Sequence, residues 1–211
     1  MRSERRRLVI ATGNAGKFQE IADALECRAI ECVAQQTLGV SEVEETASTF
    51  VENALLKARH AARSTGLPAL ADDSGLLVDA LGGAPGLRSA RYAGTPGNAG
   101  ANNARLLEAL RDVPSPHRSA RFYCVLVLLR EPEDPQPLIC EGSWSGTILH
   151  EPCGSGGFGY DPLFFDAELN ASAAELDSAT KLRVGHRGQA LEQLRARASM
   201  WAGHEPSQWA S

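Results

Sequence analysis

Apolar positions along this chain follow two rhythms. Between Phe50 and Arg63, the residues Phe50, Val51, Ala54, Leu55, Ala58, Ala61 and Ala62 recur at the spacing of one helical face, which predicts an amphipathic helix. Thr49 is placed to cap it, with Glu52 three residues on as in a capping box. Short unbroken apolar runs predict strands at Arg7–Ala11, Ala29–Ala34 and Leu67–Ala71. The strongest is Arg121–Leu129, RFYCVLVLL, apolar enough for a central strand covered on both faces. After the proline-broken turn Glu131–Pro137, a further strand is expected over Leu138–Trp144, antiparallel to its predecessor and continued by Gly146, Thr147 and Ile148. Helices are expected from the turn after Thr12 to Leu25, over Leu76–Leu81, Asn102–Leu110 and Ala173–Asp177, and as an amphipathic element over Gln189–Ala198.

Composition narrows the class. A chain of 211 residues and 22.5 kDa fits one domain or two small lobes and is long enough to bury a real core. With 43% hydrophobic and 22% charged residues it has ordinary globular usage, which excludes disordered and fibrous classes. No apolar run approaches the ~20 residues of a membrane span. Met1–Arg7 is basic but leads directly into a strand without a signal-peptide core, so a cytosolic location is expected. A net charge of −5 argues against binding nucleic-acid backbones and leaves room for a local basic pocket. The five cysteines, odd in number and without CxxC spacing, fit reduced thiols.

Several stretches carry chemistry that regular structure does not require. Asp72-Asp73-Ser74-Gly75 is expected to follow the Leu67–Ala71 strand at its carboxyl end, where open α/β sheets place ligands. Adjacent carboxylates need a cation, a raised pKa or solvent to relieve them, and a solvated strand-to-helix turn with one Asp as a cap is the competing reading. Thr12-Gly13-Asn14-Ala15-Gly16-Lys17 turns from strand to helix, so backbone amides and an ammonium meet there, a set that suits phosphate. It is not a Walker loop, since the spacing is shorter and Phe18 stands in place of the magnesium-binding hydroxyl. Glu42, Glu44 and Glu45 gather acid ahead of the Phe50 helix, where compensation of the helix dipole is the plain alternative. Gly154–Pro162, GSGGFGYDP, must be a shaped loop, with Phe158 either a stacking face for a planar ring or, with Tyr160, part of the core. His186 and Arg187 are adjacent donors at a helix start. Among 21 basic residues only Lys17, Lys57 and Lys181 are lysine, and the first and last lie in these unusual stretches, while Lys57 fits a salt-bridging role in its helix.

Taken together, TGNAGK, EET with FVENALLKARHAA, ADDSGLLVDALGGAPGLRSARYAG, GFGYDPLFF and KLRVGHRGQAL resemble, in order and spacing, the inosine/xanthosine triphosphate pyrophosphatase family over residues 8 to 197. The resemblance implies an α/β fold of two lobes on a long mixed β-sheet, with the active site in the cleft between them. It implies a homodimer and Mg²⁺-dependent cleavage of non-canonical purine triphosphates (dITP, ITP, XTP) to the monophosphate and pyrophosphate. It further implies a domain over residues 8–198 between a short basic segment, 1–7, and a tail, 199–211. Carried over by position, Thr12, Gly13, Asn14, Ala15, Gly16 and Lys17 would hold the phosphates. Asp73 would bind metal and draw a proton from water, Glu44 or Glu45 would share the metal, and Ser74 would touch substrate. Phe158, Gly159, Tyr160, Asp161, Lys181, His186 and Arg187 would form the base pocket. The family commonly has serine before the His-Arg pair, and Gly185 departs from that. A non-catalytic nucleotide sensor and a hydrolase of other modified nucleotides remain the alternatives.

Overall fold

In the computed structural model, residues 5–25, 30–95 and 97–201 are described. The start of the basic N-terminal segment, Cys27, the side chain of Trp201 and the tail with Trp209 lie outside that description. The chain divides into two compact units. One takes the chain up to Asp73, Cys124–Gly142 and the chain from Arg187 on, and the other takes Ser74–Tyr123 and Ser143–His186.

The first unit begins with β1 (Arg6–Ala11), α1 (Ala15–Leu25), β2 (Ile30–Ala34) and α2 (Phe50–Thr65). Leu8 to Ala11 are all buried, which is why this strand is an unbroken apolar run rather than an alternating one. β1 and β2 are parallel, with Leu8 opposite Cys32 and Ile10 opposite Ala34. Parallel neighbours need a crossover, and α1 supplies it. α2 starts where the capping pattern placed it: the Thr49 hydroxyl accepts from the Glu52 amide at 3.3 Å and donates to the Glu52 carboxylate at 2.7 Å. Its apolar stripe, Ala54, Ala58, Ala61 and Ala62, is fully buried.

The remaining elements are β3 (Ala69–Val78), α3 (Ala99–Ala109), β4 (Ser119–Leu129), β5 (Leu138–Ile148), β6 (Phe164–Asp166), β7 (Ala171–Ser172), α4 (Ser178–Val184) and α5 (His186–Trp201). Among the described residues seven strands form one sheet in the order β2-β1-β3-β4-β5-β6-β7. β1 and β3 are parallel, whereas the β5–β6 and β6–β7 pairs are antiparallel, so the sheet is mixed and the class is α/β. The second unit is built on an aromatic core in which the Phe164 ring lies 4.6 Å from Phe122 and 4.8 Å from Trp144, with Leu76, Val78, Leu106 and Leu110 around them. The indole N–H of Trp144 is satisfied by Asp166 at 2.7 Å, as a buried donor requires.

Three sequence expectations are corrected here. Asp72-Asp73-Ser74-Gly75 is not a turn after a strand, because β3 runs through it to Val78, and the expected Leu76–Leu81 helix is reduced to one 3-10 turn over Asp79–Leu81. The strand continues because Leu76 and Val78 are drawn into the second unit's core, which outweighs the local turn preference of Asp, Ser and Gly. Likewise Ala173–Asp177 is not helical. Ala171–Ser172 pair with β6, a turn follows, and Asp177 caps a helix starting at Ser178, accepting from the Thr180 amide at 2.8 Å. Among the described residues no helix is long and apolar enough to cross a membrane, and Cys124, Cys140 and Cys153 are free thiols.

Candidate active site

Successive side chains of a strand point to opposite faces, so β3 sends Asp72 and Asp73 in opposite directions. Asp72 is enclosed. Its Oδ1 accepts from Lys17 Nζ at 2.6 Å, and its Oδ2 accepts from Arg187 Nε at 2.8 Å and from the Cys124 thiol at 3.1 Å. Lys17 comes from the first turn of α1 and Arg187 from the start of α5, where its guanidinium also donates to Glu20. Burial alone would raise the pKa of Asp72, yet the charges of Arg187 and Lys17 overturn that and hold the carboxyl well below its usual range. Burial opposes the charge on Arg187 too, and Asp72 and Glu20 keep it firmly protonated. Burial and the neighbouring Asp72 carboxylate push the Cys124 thiol well up.

Asp73 meets α2. Its Oδ1 accepts from Lys57 Nζ at 2.7 Å, and the same ammonium bonds Glu45 Oε1 at 2.8 Å. The salt-bridging role expected for Lys57 is what the structure shows. Here burial wins: it raises the pKa of Asp73, and the attraction of Lys57 and then Lys17 only partly offsets it. Lys57 itself, pulled down by burial, is carried above its ordinary value by Asp73 and Glu45. Of the two glutamates offered as alternatives, Glu45 is beside Asp73 and Glu44 is exposed on the preceding loop.

The strand-to-helix turn is fixed by its own side chains. Asn14 caps α1, accepting from the Lys17 amide at 3.0 Å, while the Asn14 amide donates to Thr12 Oγ1 at 3.2 Å and Gln36 Nε2 to the Thr12 carbonyl at 2.9 Å. The amides of Asn14 and Lys17 are therefore already used within the turn. The Glu42 carboxylate lies so close to Gly13 that any side chain there would collide with it.

The second unit holds another lysine–aspartate pair. Lys181 Nζ donates to Asp161 Oδ2 at 2.6 Å and lies 4.5 Å from the centre of the Phe158 ring. The Phe158 amide donates to the same carboxylate at 2.7 Å, so Asp161 ties ring and ammonium together. The loop needs Gly157 here: its φ is +69° and a Cβ would fall 2.1 Å from Asp161 Oδ2. Tyr160 is buried and its hydroxyl donates to the Ser89 carbonyl at 2.9 Å, with burial pushing its pKa upward; the Gly159 carbonyl accepts from Asn103 at 3.0 Å. The His186 ring is buried and stacks on Phe122, centres 4.8 Å apart. Gly185 sits at a close approach, since a Cβ would come within 2.6 Å of the Lys181 carbonyl.

The residues singled out from sequence thus fall into two groups. Thr12 to Lys17, Asp73, Glu45 and Arg187 lie in the first unit, and half-buried Ser74, Phe158 to Asp161, Lys181 and His186 in the second. Sequence reasoning gave no part to Cys124 or Glu20 and no partner to Asp72. Cys124 is hidden in an apolar strand and Glu20 in a helix with many polar neighbours, whereas the rarity of lysine did mark Lys17 and Lys181 and left Lys57 as a salt-bridging residue of its helix. Among the described residues no three His, Cys, Asp or Glu side chains are grouped to hold a metal. The two hard oxygen donors that meet at the Lys57 ammonium nevertheless suit magnesium, which uses one or two carboxylates and completes its shell with water and phosphate.

Comparison with known proteins bears on these groups. Residues 8–197 match the model of the Ham1 family. Proteins named dITP/XTP pyrophosphatase from Xylella fastidiosa and Xanthomonas oryzae are 62% and 65% identical to this chain, covering 90% and 89% of it and 96% and 94% of the relatives. A solved HAM1 protein from Coxiella burnetii superposes with a TM-score of 0.84 at 48% identity, covering 92% of this chain and 99% of that one. A solved nucleoside-triphosphatase, also titled dITP/XTP pyrophosphatase, from Mycobacterium abscessus superposes with a TM-score of 0.71 at 42% identity, covering 89% and 98%. With its parallel β1-β3 core, its paired acids on β3 and these matches across nearly the whole length, the chain belongs to the Ham1 family.

Proposed function

We propose that this chain hydrolyses non-canonical purine nucleoside triphosphates, dITP, ITP and XTP, to the nucleoside monophosphate and pyrophosphate, and so clears them from the nucleotide pool. The observation that carries the proposal is the pair of carboxylates, Asp73 and Glu45, closing on a single cation position at Lys57. The names of the relatives supply the substrate class.

The triphosphate binds at Thr12–Lys17, where the Lys17 ammonium offsets part of a charge of about −4. Magnesium held by Asp73 and Glu45 would supply the remaining neutralisation and acidify a bound water. Asp73 serves as the general base. Its pKa is raised by burial, which gives it more proton affinity than an exposed carboxylate has. Lys57 keeps Asp73 and Glu45 from repelling one another and fixes where their oxygens point. The purine lies on Phe158, and Lys181 offers a donor to a 6-keto oxygen; adenine's amino group would set donor against donor, at about 1–3 kcal/mol per unmet group. Ser74, Gly159, Tyr160, Asp161, His186 and Arg187 complete and brace the site. The enzyme acts as a cytoplasmic homodimer.

The test is a panel of dITP, XTP, ITP, GTP and ATP with and without Mg²⁺, with pyrophosphate and orthophosphate read separately. Pyrophosphate from the first three, far faster than from the last two and abolished by EDTA, is expected. Equal rates on all five, or orthophosphate as the product, would overturn the proposal. Sedimentation checks the dimer.

A further inference from the structure

We infer that Asp72, through its paired contacts with Arg187 and Lys17, is the positioning residue of the phosphate-binding lysine. This rests on the reading that Thr12–Lys17 holds the phosphates. A lysine ammonium is a point charge on a flexible stem, and unless something restrains it, part of its attraction for an anion is lost in ordering the side chain. Here the restraint is built. Asp72 has no exposed side-chain surface, its Oδ1 is given to Lys17 at 2.6 Å, and its Oδ2 is held at 2.8 Å by Arg187 and at 3.1 Å by the Cys124 thiol. Arg187 is in turn held by Glu20, one turn along α1 from Lys17, so a chain of charges runs from α1 through β3 and α5 and back to α1.

Lys17 is the open cation of this group, as Glu20 is its open carboxylate. The lysine side chain keeps 17% of its exposure while those of Asp72 and Arg187 keep 0% and 3%. An ammonium has three N–H donors, and one directed at Asp72 leaves the others for a ligand on the exposed side. Two cations and two carboxylates balance, so the group is tolerated inside the protein before any ligand arrives, and an anion then finds Lys17 already in place. Asp72 acts on substrate only through Lys17. It is distinct from Asp73, which faces the opposite side of β3.

The test is a double-mutant cycle on Lys17→Met and Asp72→Asn, read by calorimetric binding of inorganic tripolyphosphate and by kcat and KM on dITP. Lys17→Met is expected to weaken tripolyphosphate binding by about 100-fold and Asp72→Asn by about 10-fold, with KM rising more than kcat falls; the double variant is expected to be no worse than Lys17→Met alone. Losses that multiply, or unchanged tripolyphosphate binding in Asp72→Asn, would overturn the assignment. Where Asp72→Asn does not fold, judged by circular dichroism, the cycle is run with Asp72→Glu, which keeps the charge and displaces it by one methylene. Its loss should vanish in the Lys17→Met background, and an equal loss in both backgrounds sinks the idea. Coupling in tripolyphosphate binding without turnover of dITP by wild type would overturn the proposed activity and leave the positioning role standing. Turnover without coupling would do the reverse.

Discussion

Asp72 and Asp73 are neighbours in one strand and nearly equally buried, yet they end in opposite charge regimes. On the Asp72 side, two cations outweigh the cost of burial and the carboxyl is locked as an anion. On the Asp73 side, one ammonium is shared with Glu45, burial prevails, and the carboxyl is left with more affinity for a proton than usual. Similar burial leads to opposite outcomes because Asp72 has two cations in contact, whereas Asp73 has one and shares it with Glu45. One side is suited to hold structure and the other to move a proton.

That contrast can be broken most directly at Asp73. Asp73→Asn should lower kcat on dITP by about 1,000-fold while the melting temperature stays within about 3 °C of wild type, because a base is lost and a reluctant buried charge goes with it. Pyrophosphate-release kinetics and a thermal melt measure both, and retained turnover would remove Asp73 from its role. Asp72→Asn should behave as its counterpart, losing about 3–5 kcal/mol of stability in urea denaturation because Arg187 is left buried with less compensation. If the two variants lost stability equally, the division between the two sides of β3 would fail.

A smaller effect sharpens the comparison by separating binding from chemistry. Phe158→Ala should raise KM for dITP about tenfold through the lost stacking face and leave kcat nearly unchanged, unlike Asp73→Asn. The smallest is a displacement in pH. The acid limb of kcat/KM should lie above the ordinary aspartate value of about 3.9, since Asp73 must be ionised to act as a base. Lys57→Met should move that limb further upward, because Lys57 favours the ionised form. For stability the signs differ. Asp72, depressed in the fold, contributes stability that is present above its unfolded pKa and is lost as pH falls through its low folded value. Asp73, raised in the fold, contributes stability present below its unfolded pKa and lost as pH rises through the folded one. Denaturation midpoints across the acid range, compared with those of the two Asn variants, test each sign.

Much of this was legible in the residues. The α2 stripe with its Thr49 cap, the β1-to-α1 turn and the apolar β4 run could be read directly, since each depends on local periodicity or capping. The path of β3 could not. Asp, Ser and Gly carry turn chemistry, and only the distant partners Lys17, Lys57 and Arg187, together with the pull of Leu76 and Val78 into a core, make an extended strand of them. The site divided the same way. Motif and lysine rarity pointed to Lys17, Asp73 and Phe158, whereas choosing Glu45 over Glu44 and tying Arg187 to Asp72 needed contacts between residues more than ten and more than a hundred positions apart.

The thiol of Cys124 has one practical consequence. Sealed behind the charged group and kept as S–H, it should be blind to an alkylating reagent that can reach exposed Cys153. Its labelling rate then becomes an internal clock, recording how often β4 opens around it without any dye or engineered probe.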